Sequence, residues 1–109
     1  MEVDFASPDL KKVCENPKDA TKQLGAASAK KLRARLADLM SVARLGDLPA
    51  GKPHPLKGSR SGQFAVSLAG GHRLAFEAND EPTPMTDDGV TDWPNVTSIR
   101  IVFIGDYHD

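Results

Sequence analysis

Residues 64–78 read Phe-Ala-Val-Ser-Leu-Ala-Gly-Gly-His-Arg-Leu-Ala-Phe-Glu-Ala, two short runs of alternating side chains around a glycine pair. Large apolar residues alternate with smaller or polar ones in both runs, a period of two that is typical of half-buried β-strands. Gly70 and Gly71 can supply the positive φ angles that a tight turn needs. We therefore predict a β-hairpin whose return strand covers residues 73–78.

The sequence after this hairpin predicts a long loop and a further strand. Residues 79–95 are acidic, contain three prolines and show no period, and loops of this length are often functional. Trp93 within the loop is either a partner contact or a lid over the core. Residues 96–104 carry apolar side chains on both faces, which indicates a strand with neighbours on both sides.

The sequence before the hairpin is helical up to about residue 44. Ser7 followed by Pro8 predicts the start of a helix over residues 7–15. Asp19 can cap a second helical stretch, in which Gly25 is a weak point. Its clearest part is residues 28–44, where apolar residues recur on one face at helical spacing: Ala29, Leu32, Leu36, Leu39, Met40 and Ala43. Residues 53–56 contain two prolines and predict an edge segment.

These elements predict one α+β domain over residues 1–109, with two N-terminal helices packed on a small antiparallel sheet of three to five strands. Cys14 is the single cysteine, so no internal disulfide can form. No run approaches the roughly 20 apolar residues of a membrane span, and the acidic start of the chain lacks the basic region of a signal peptide. We expect a cytoplasmic protein without a membrane association.

The net charge of −1 conceals two oppositely charged halves. Residues 1–60 contain 12 Lys and Arg against 7 Asp and Glu, whereas residues 61–109 contain 2 against 8. Such a division indicates either a polyanion-binding half or two solvated faces of opposite sign. The same choice applies to the basic face of the predicted helix, where we predict phosphate binding by Lys30, Lys31, Arg33 and Arg35.

Polar residues with useful chemistry stand at the ends of the predicted strands: His54, Arg73, Asp106, Tyr107 and His108. Because distant positions meet across neighbouring antiparallel strands, one cleft can collect them. RNA cleavage needs a base for the 2′-OH, a cation for the phosphate and an acid for the leaving oxygen. Histidine fits the proton transfers, arginine pairs with phosphate oxygens, and tyrosine can stack on a base.

Each of these residues also has a purely structural interpretation. His54 and His72 could simply be turn residues, His54 an exposed one, and Arg73 could form a surface ion pair with Glu77 or Asp106. The final three residues could be a frayed chain end. The three histidines and Cys14 lack metal-ligand spacing, so we predict no metal site and no cofactor.

Three ordered motifs resemble the HigB-type toxins of the RelE/ParE superfamily, the plasmid maintenance killer proteins. They are residues 54–64 (His-Pro-Leu-Lys-Gly-Ser-Arg-Ser-Gly-Gln-Phe), residues 72–76 (His-Arg-Leu-Ala-Phe) and residues 106–108 (Asp-Tyr-His). The resemblance extends from about residue 28 to the end. Residues 2–5 also resemble the N-terminal segment of a chromosomal subgroup of these toxins. The chain departs from the family at Gly71-His72, where Asn-Trp is usual, and in its acidic insertion.

The resemblance implies a RelE-like RNase fold and cleavage of mRNA on the translating ribosome, neutralised by a HigA-like helix-turn-helix antitoxin. It implies that His54, Asp106, Tyr107 and His108 form the catalytic group with Arg73, and that Lys57 and Arg60 bind phosphate. Two alternatives stay open: a non-catalytic protein that keeps the fold and binds an antitoxin, and a ParE-like gyrase inhibitor. The histidines favour cleavage, because a gyrase inhibitor needs no acid and base.

Overall fold

The computed structural model describes residues 1–51 and 53–106 and confirms the predicted α+β class. A short strand opens the chain and three helices follow it: β1 (Glu2–Phe5), α1 (Pro8–Glu15), α2 (Pro17–Leu24) and α3 (Ala26–Ser41). Four further strands complete the described part: β2 (His54–Pro55), β3 (Phe64–Ser67), β4 (His72–Ala78) and β5 (Ser98–Asp106).

The helical layer contains three helices where the sequence predicted two. Ser7 caps α1 as predicted, its hydroxyl accepting a hydrogen bond from the Leu10 N–H at 3.3 Å. Asn16 then ends α1 and caps α2 through its side-chain oxygen, so the cap assigned to Asp19 was wrong. Gly25, with φ +85°, ends α2 and separates it from α3. The weak point is therefore a complete break.

The sheet has five strands in the order β1-β5-β4-β3-β2 and is mixed, not wholly antiparallel. β1 runs parallel to β5, with Val3 opposite Ile99, and the other pairs are antiparallel. β1 was missed because its partner lies more than 90 positions further along the chain, so no local hairpin pattern indicates it. β5 has neighbours on both sides, as its apolar faces predicted.

The core lies between the helices and one face of the sheet. Leu32, Leu36 and Leu39 of α3 are buried as predicted, in a cluster that includes Leu74, Phe76, Ile99 and Ile101. Met40 was predicted on the same helix face, but it is 56% exposed. One residue advances a helix by about 100°, so Met40 turns away when Leu39 points inward. Ala43 lies beyond the end of α3.

Trp93 is a lid over this core. Its ring centre is 4.8 Å from that of Phe64 and 6.4 Å from that of Phe76, in tilted and edge-on geometries that aromatic pairs favour. The long loop is thereby tied to the sheet. No helix within residues 1–51 and 53–106 has the length and apolar composition that a membrane crossing requires.

Candidate active site

The helices cover one face of the sheet and leave the other to short loops. Strand alternation and register place one set of side chains on this second face, called here the open face. His54 pairs with Ala65, Ser67 with Arg73, and Ala75 with Phe103. The open face is defined by His54, Ala65, Ser67, Arg73, Ala75 and Phe103.

The middle of the open face is a small apolar platform. Leu56, Ala65 and Ala75 are buried together there, with Val102 and Phe103 packed against them. A shift in register opposite Ala75 and Phe76 leaves Val102 without a pairing partner on β4, which is the geometry of a β-bulge. The bulge allows two consecutive residues of β5 to contact the platform.

Arg60 lies over this platform. Its guanidinium carbon is 4.1 Å from the centre of the Phe103 ring, and Nη1 donates a hydrogen bond to the side-chain oxygen of Gln63 at 3.1 Å. A guanidinium above an aromatic ring is attracted by the ring face and keeps its charge. Lys57, predicted to act beside it, is exposed just before the 3₁₀ turn Gly58–Arg60.

Arg73 and His54 flank β3 on the open face. Their partners on β3, Ser67 and Ala65, are two residues apart, so the two Cα atoms are about 12 Å apart by standard sheet spacings. That distance leaves room for a ribose and its phosphate between the two side chains. Nη1 of Arg73 donates to the His72 carbonyl oxygen at 3.0 Å. No carboxylate in the described part of the chain pairs with Arg73.

Asp106 ends β5 at the same end of the sheet as Arg73. It is the pairing partner of His72, and Gly105 is that of Arg73, so Asp106 belongs to the helical side. A Cβ atom on Gly71 would lie 3.0 Å from Oδ2 of Asp106, a space that a glycine leaves open. Tyr107 and His108, the other predicted members of the terminal group, lie outside the described residues.

His72 is part of a strand and contacts a buried residue of α3, whereas the sequence suggested only a turn residue. It begins β4, and its Nδ1 is 2.7 Å from Oγ of Ser28, a buried residue of α3. Ser28 also donates to the Ala69 carbonyl oxygen at 3.1 Å. A serine hydroxyl has one proton, so Nδ1 of His72 must be the donor in their mutual bond. The pair anchors α3 to the hairpin beside Arg73, a contact that no sequence pattern signalled.

The basic residues of α3 separate into two groups. Lys31 and Arg35 are four positions apart and line a cleft that also includes Arg73. Lys30 and Arg33 are exposed and do not line it. No group of three or more His, Cys, Asp or Glu residues in the described ranges is arranged to hold a metal ion.

The comparisons with known proteins place the chain in a fold class, that of the YoeB/ParE-type toxins. A YoeB/ParE toxin from Agrobacterium tumefaciens matches with a TM-score of 0.58 and 12% identity, over 99% of this chain and 100% of that one. The YoeB-YefM complex from Staphylococcus aureus gives 0.57 and 18%, and the YoeB dimer from the same organism 0.56 and 19%; both cover 100% of this chain and 98% of theirs.

These identities are low, so the similarity defines the fold. No protein-family profile and no curated protein sequence matches the chain. The assignment to the HigB-type toxins in particular therefore stays a prediction.

Proposed function

We propose that this protein is the toxin of a toxin–antitoxin system and cleaves mRNA on the ribosome. The observation that carries the proposal is the placement of His54 and Arg73 on either side of β3. They lie on a sheet face without helices, in a fold whose neighbours include YoeB and YoeB/ParE toxins. A histidine and an arginine without a carboxylate partner in the described residues supply two of the three functions that phosphodiester cleavage needs, one proton transfer and a cation for the phosphate.

The proposed reaction is attack of the 2′-oxygen on the adjacent phosphorus. A base takes the 2′-OH proton, the new O–P bond forms as the bond to the 5′-oxygen breaks, and an acid protonates that oxygen. His54 supplies one of these proton transfers, and His108 supplies the other. Asp106 ends β5 on the helical side of the sheet, so in this proposal it orients the catalytic residues that follow it and does not contact the RNA on the open face. Tyr107 positions the nucleotide. The products are a 2′,3′-cyclic phosphate and a 5′-hydroxyl.

The cations of the open face support the charge that builds up on the phosphate. Arg73 has no carboxylate partner in the described residues, so its full charge is available to an anion. Arg60 keeps its charge on the Phe103 ring, and Lys57 adds a third cation nearby. Arg100, by contrast, is committed to Glu77 and Asn79, at 3.5 and 2.9 Å.

A HigA-like antitoxin is the proposed partner, with helix-turn-helix DNA binding as in the family that the sequence resembles. A structural neighbour was solved as the YoeB-YefM complex, so a related fold forms a complex with a second protein. The ribosome is the second proposed partner, because the family that the sequence resembles cleaves mRNA on the translating ribosome.

Induction of the gene in bacteria tests this proposal. The wild-type protein should arrest growth and produce new mRNA 5′ ends within open reading frames, and His54→Ala should abolish both while accumulating to the same level. Growth arrest with DNA breaks and intact mRNA would contradict cleavage and favour gyrase inhibition. No arrest, combined with tight binding of a cognate antitoxin, would favour the non-catalytic alternative.

A further inference from the structure

A cleft of about 490 Å³ lies between α3 and the hairpin of β3 and β4. Three cationic side chains line it: Lys31, Arg35 and Arg73. The rest of its wall consists of Ala50, Gly51, Ser67, Leu68 and Gly70, and no acidic residue in the described ranges belongs to the lining. The cleft is therefore positively charged and continuous with the open face through Arg73.

The short edge strand β2 creates this cleft. β2 pairs with Phe64 and Ala65 only, and beyond it the N–H of Ser67 donates to the carbonyl oxygen of Gly51 at 2.7 Å. Gly51 has φ +94°, and a Cβ there would lie 2.9 Å from Cδ of Arg35. The chain thus crosses close to α3, and Ser67 lines the cleft at this edge of β3.

The three cations are held in different ways. The side chain of Arg35 is only 15% exposed and forms an ion pair with Asp38, with its Nε 3.4 Å from Oδ2 but without the geometry of a hydrogen bond. Lys31 lies one helical turn earlier, is exposed, and has no carboxylate partner in the described residues. Arg35 therefore adds a partly buried guanidinium whose charge Asp38 partly offsets, and Lys31 adds an exposed ammonium without a carboxylate partner in the described residues, both in the cleft that Arg73 lines.

We infer that this cleft binds backbone phosphates of the RNA strand that flank the scissile phosphate. The strand would run from the open face, past Arg73, over the β3 edge to Lys31 and Arg35. This inference rests on the proposed function and adds the path of the substrate. Cationic side chains and a serine hydroxyl suit phosphate oxygens, and because Arg73 belongs to both the open face and the cleft, RNA is favoured over an acidic protein segment.

On this path, Lys31 and Arg35 of α3 contact the RNA, whereas Lys30 and Arg33 do not line the cleft. This difference allows a test with a matched pair of variants. Lys31→Glu and Lys30→Glu make the same charge change at neighbouring, exposed positions of one helix. The probe is a fluorescent single-stranded RNA with 2′-O-methyl groups, which binds but cannot be cleaved. Its affinity is measured by anisotropy over a range of salt concentrations, with circular dichroism as a check of folding.

Lys31→Glu should weaken binding several-fold more than Lys30→Glu. The neutral variant Lys31→Ala should lower the slope of log affinity against log salt by about 0.7, the value for one lost contact to a single strand. Arg35→Gln should act in the same direction. Equal effects of the two glutamate variants would overturn the inference. So would a poly-glutamate peptide that binds more tightly than RNA in a Lys31-dependent way.

Binding is measured without cleavage, so the two proposals can fail separately. A wild-type protein that binds the RNA probe through Lys31 but cleaves no mRNA would leave the cleft assignment standing and contradict the proposed function. Cleavage with unchanged kinetics in Lys31→Glu would do the reverse.

Discussion

Cys14 illustrates how surroundings determine the chemistry of one residue. Burial, and secondarily the negative charge of Glu15, raise the pKa of its thiol from 9.0 to about 12. Thiolate is the reactive form of cysteine, so this residue is protonated and inert near neutral pH. The sequence showed that Cys14 is alone, but its low reactivity depends on the packing of the helices around it.

We expect Cys14 to react with a thiol reagent at pH 8 roughly 30-fold more slowly in the native protein than in denaturant. The raised pKa lowers the thiolate fraction about a thousandfold, and the greater nucleophilicity of a thiolate of high pKa offsets about half of this loss on a logarithmic scale. The reaction rate is measured from the absorbance of the coloured thiolate that a chromogenic disulfide reagent releases. Equal rates in the two states would show that Cys14 is exposed.

Asp80 joins the long loop to the start of β5. Burial would raise the pKa of its carboxyl, but hydrogen bonds from the Thr97 hydroxyl and from the N–H groups of Thr97 and Ser98 outweigh that effect and lower the pKa. A lowered carboxyl pKa stabilises the fold above the unfolded value, and the contribution disappears as the pH falls through the folded value.

Asp80→Asn should therefore lower the free energy of unfolding at pH 7 by about 1 kcal/mol, and the difference from wild type should shrink as the pH falls below 3.8. Urea titrations at pH 7 and pH 3 provide the test. Asp87→Asn is the control, because no hydrogen bond to the Asp87 carboxylate is found in the described residues. A difference that persisted at pH 3 would contradict the assigned role.

At the scale of the elements, α3 and the β3-β4 hairpin were predictable because their patterns are local. Six apolar positions at helical spacing defined α3, and alternation with a glycine turn defined the hairpin. β1 and the extension of β5 to Asp106 were not predictable, because both depend on pairing with distant strands. The break at Gly25 was foreseen only as a weakness, since one glycine costs a helix about 1 kcal/mol.

Leu36→Ala should lower the stability of the domain by about 2–5 kcal/mol, because it leaves a cavity among buried side chains of the core. Met40→Ala on the same helix should change it by less than about 0.5 kcal/mol, because Met40 is 56% exposed. Denaturant titrations of both variants provide the comparison. Similar losses for the two would mean that the inward face of α3 is misassigned.

At the scale of the whole molecule, the sequence located the candidate site only in part. Strand ends indicated His54 and Arg73, and the sheet places both on the open face. Neither the contact of Arg60 with Phe103 nor the division of the basic helix face followed from the sequence, because both depend on how loops fold over the sheet. Asp106 was predicted to share one cleft with Arg73, yet strand alternation places it on the opposite face of the sheet, the helical side, together with His72.

Cleavage of a defined mRNA on purified ribosomes tests the central claim most directly. Arg73→Ala should reduce the single-turnover rate about 10²- to 10³-fold, as expected for loss of a positioned charge-stabilising group. Arg44→Ala should leave the rate unchanged, because this arginine is exposed and pairs with Asp47 and Asn95 instead. If wild-type protein cleaves no mRNA, or Arg73→Ala cleaves as fast as wild type, the open face is not the site of RNA cleavage.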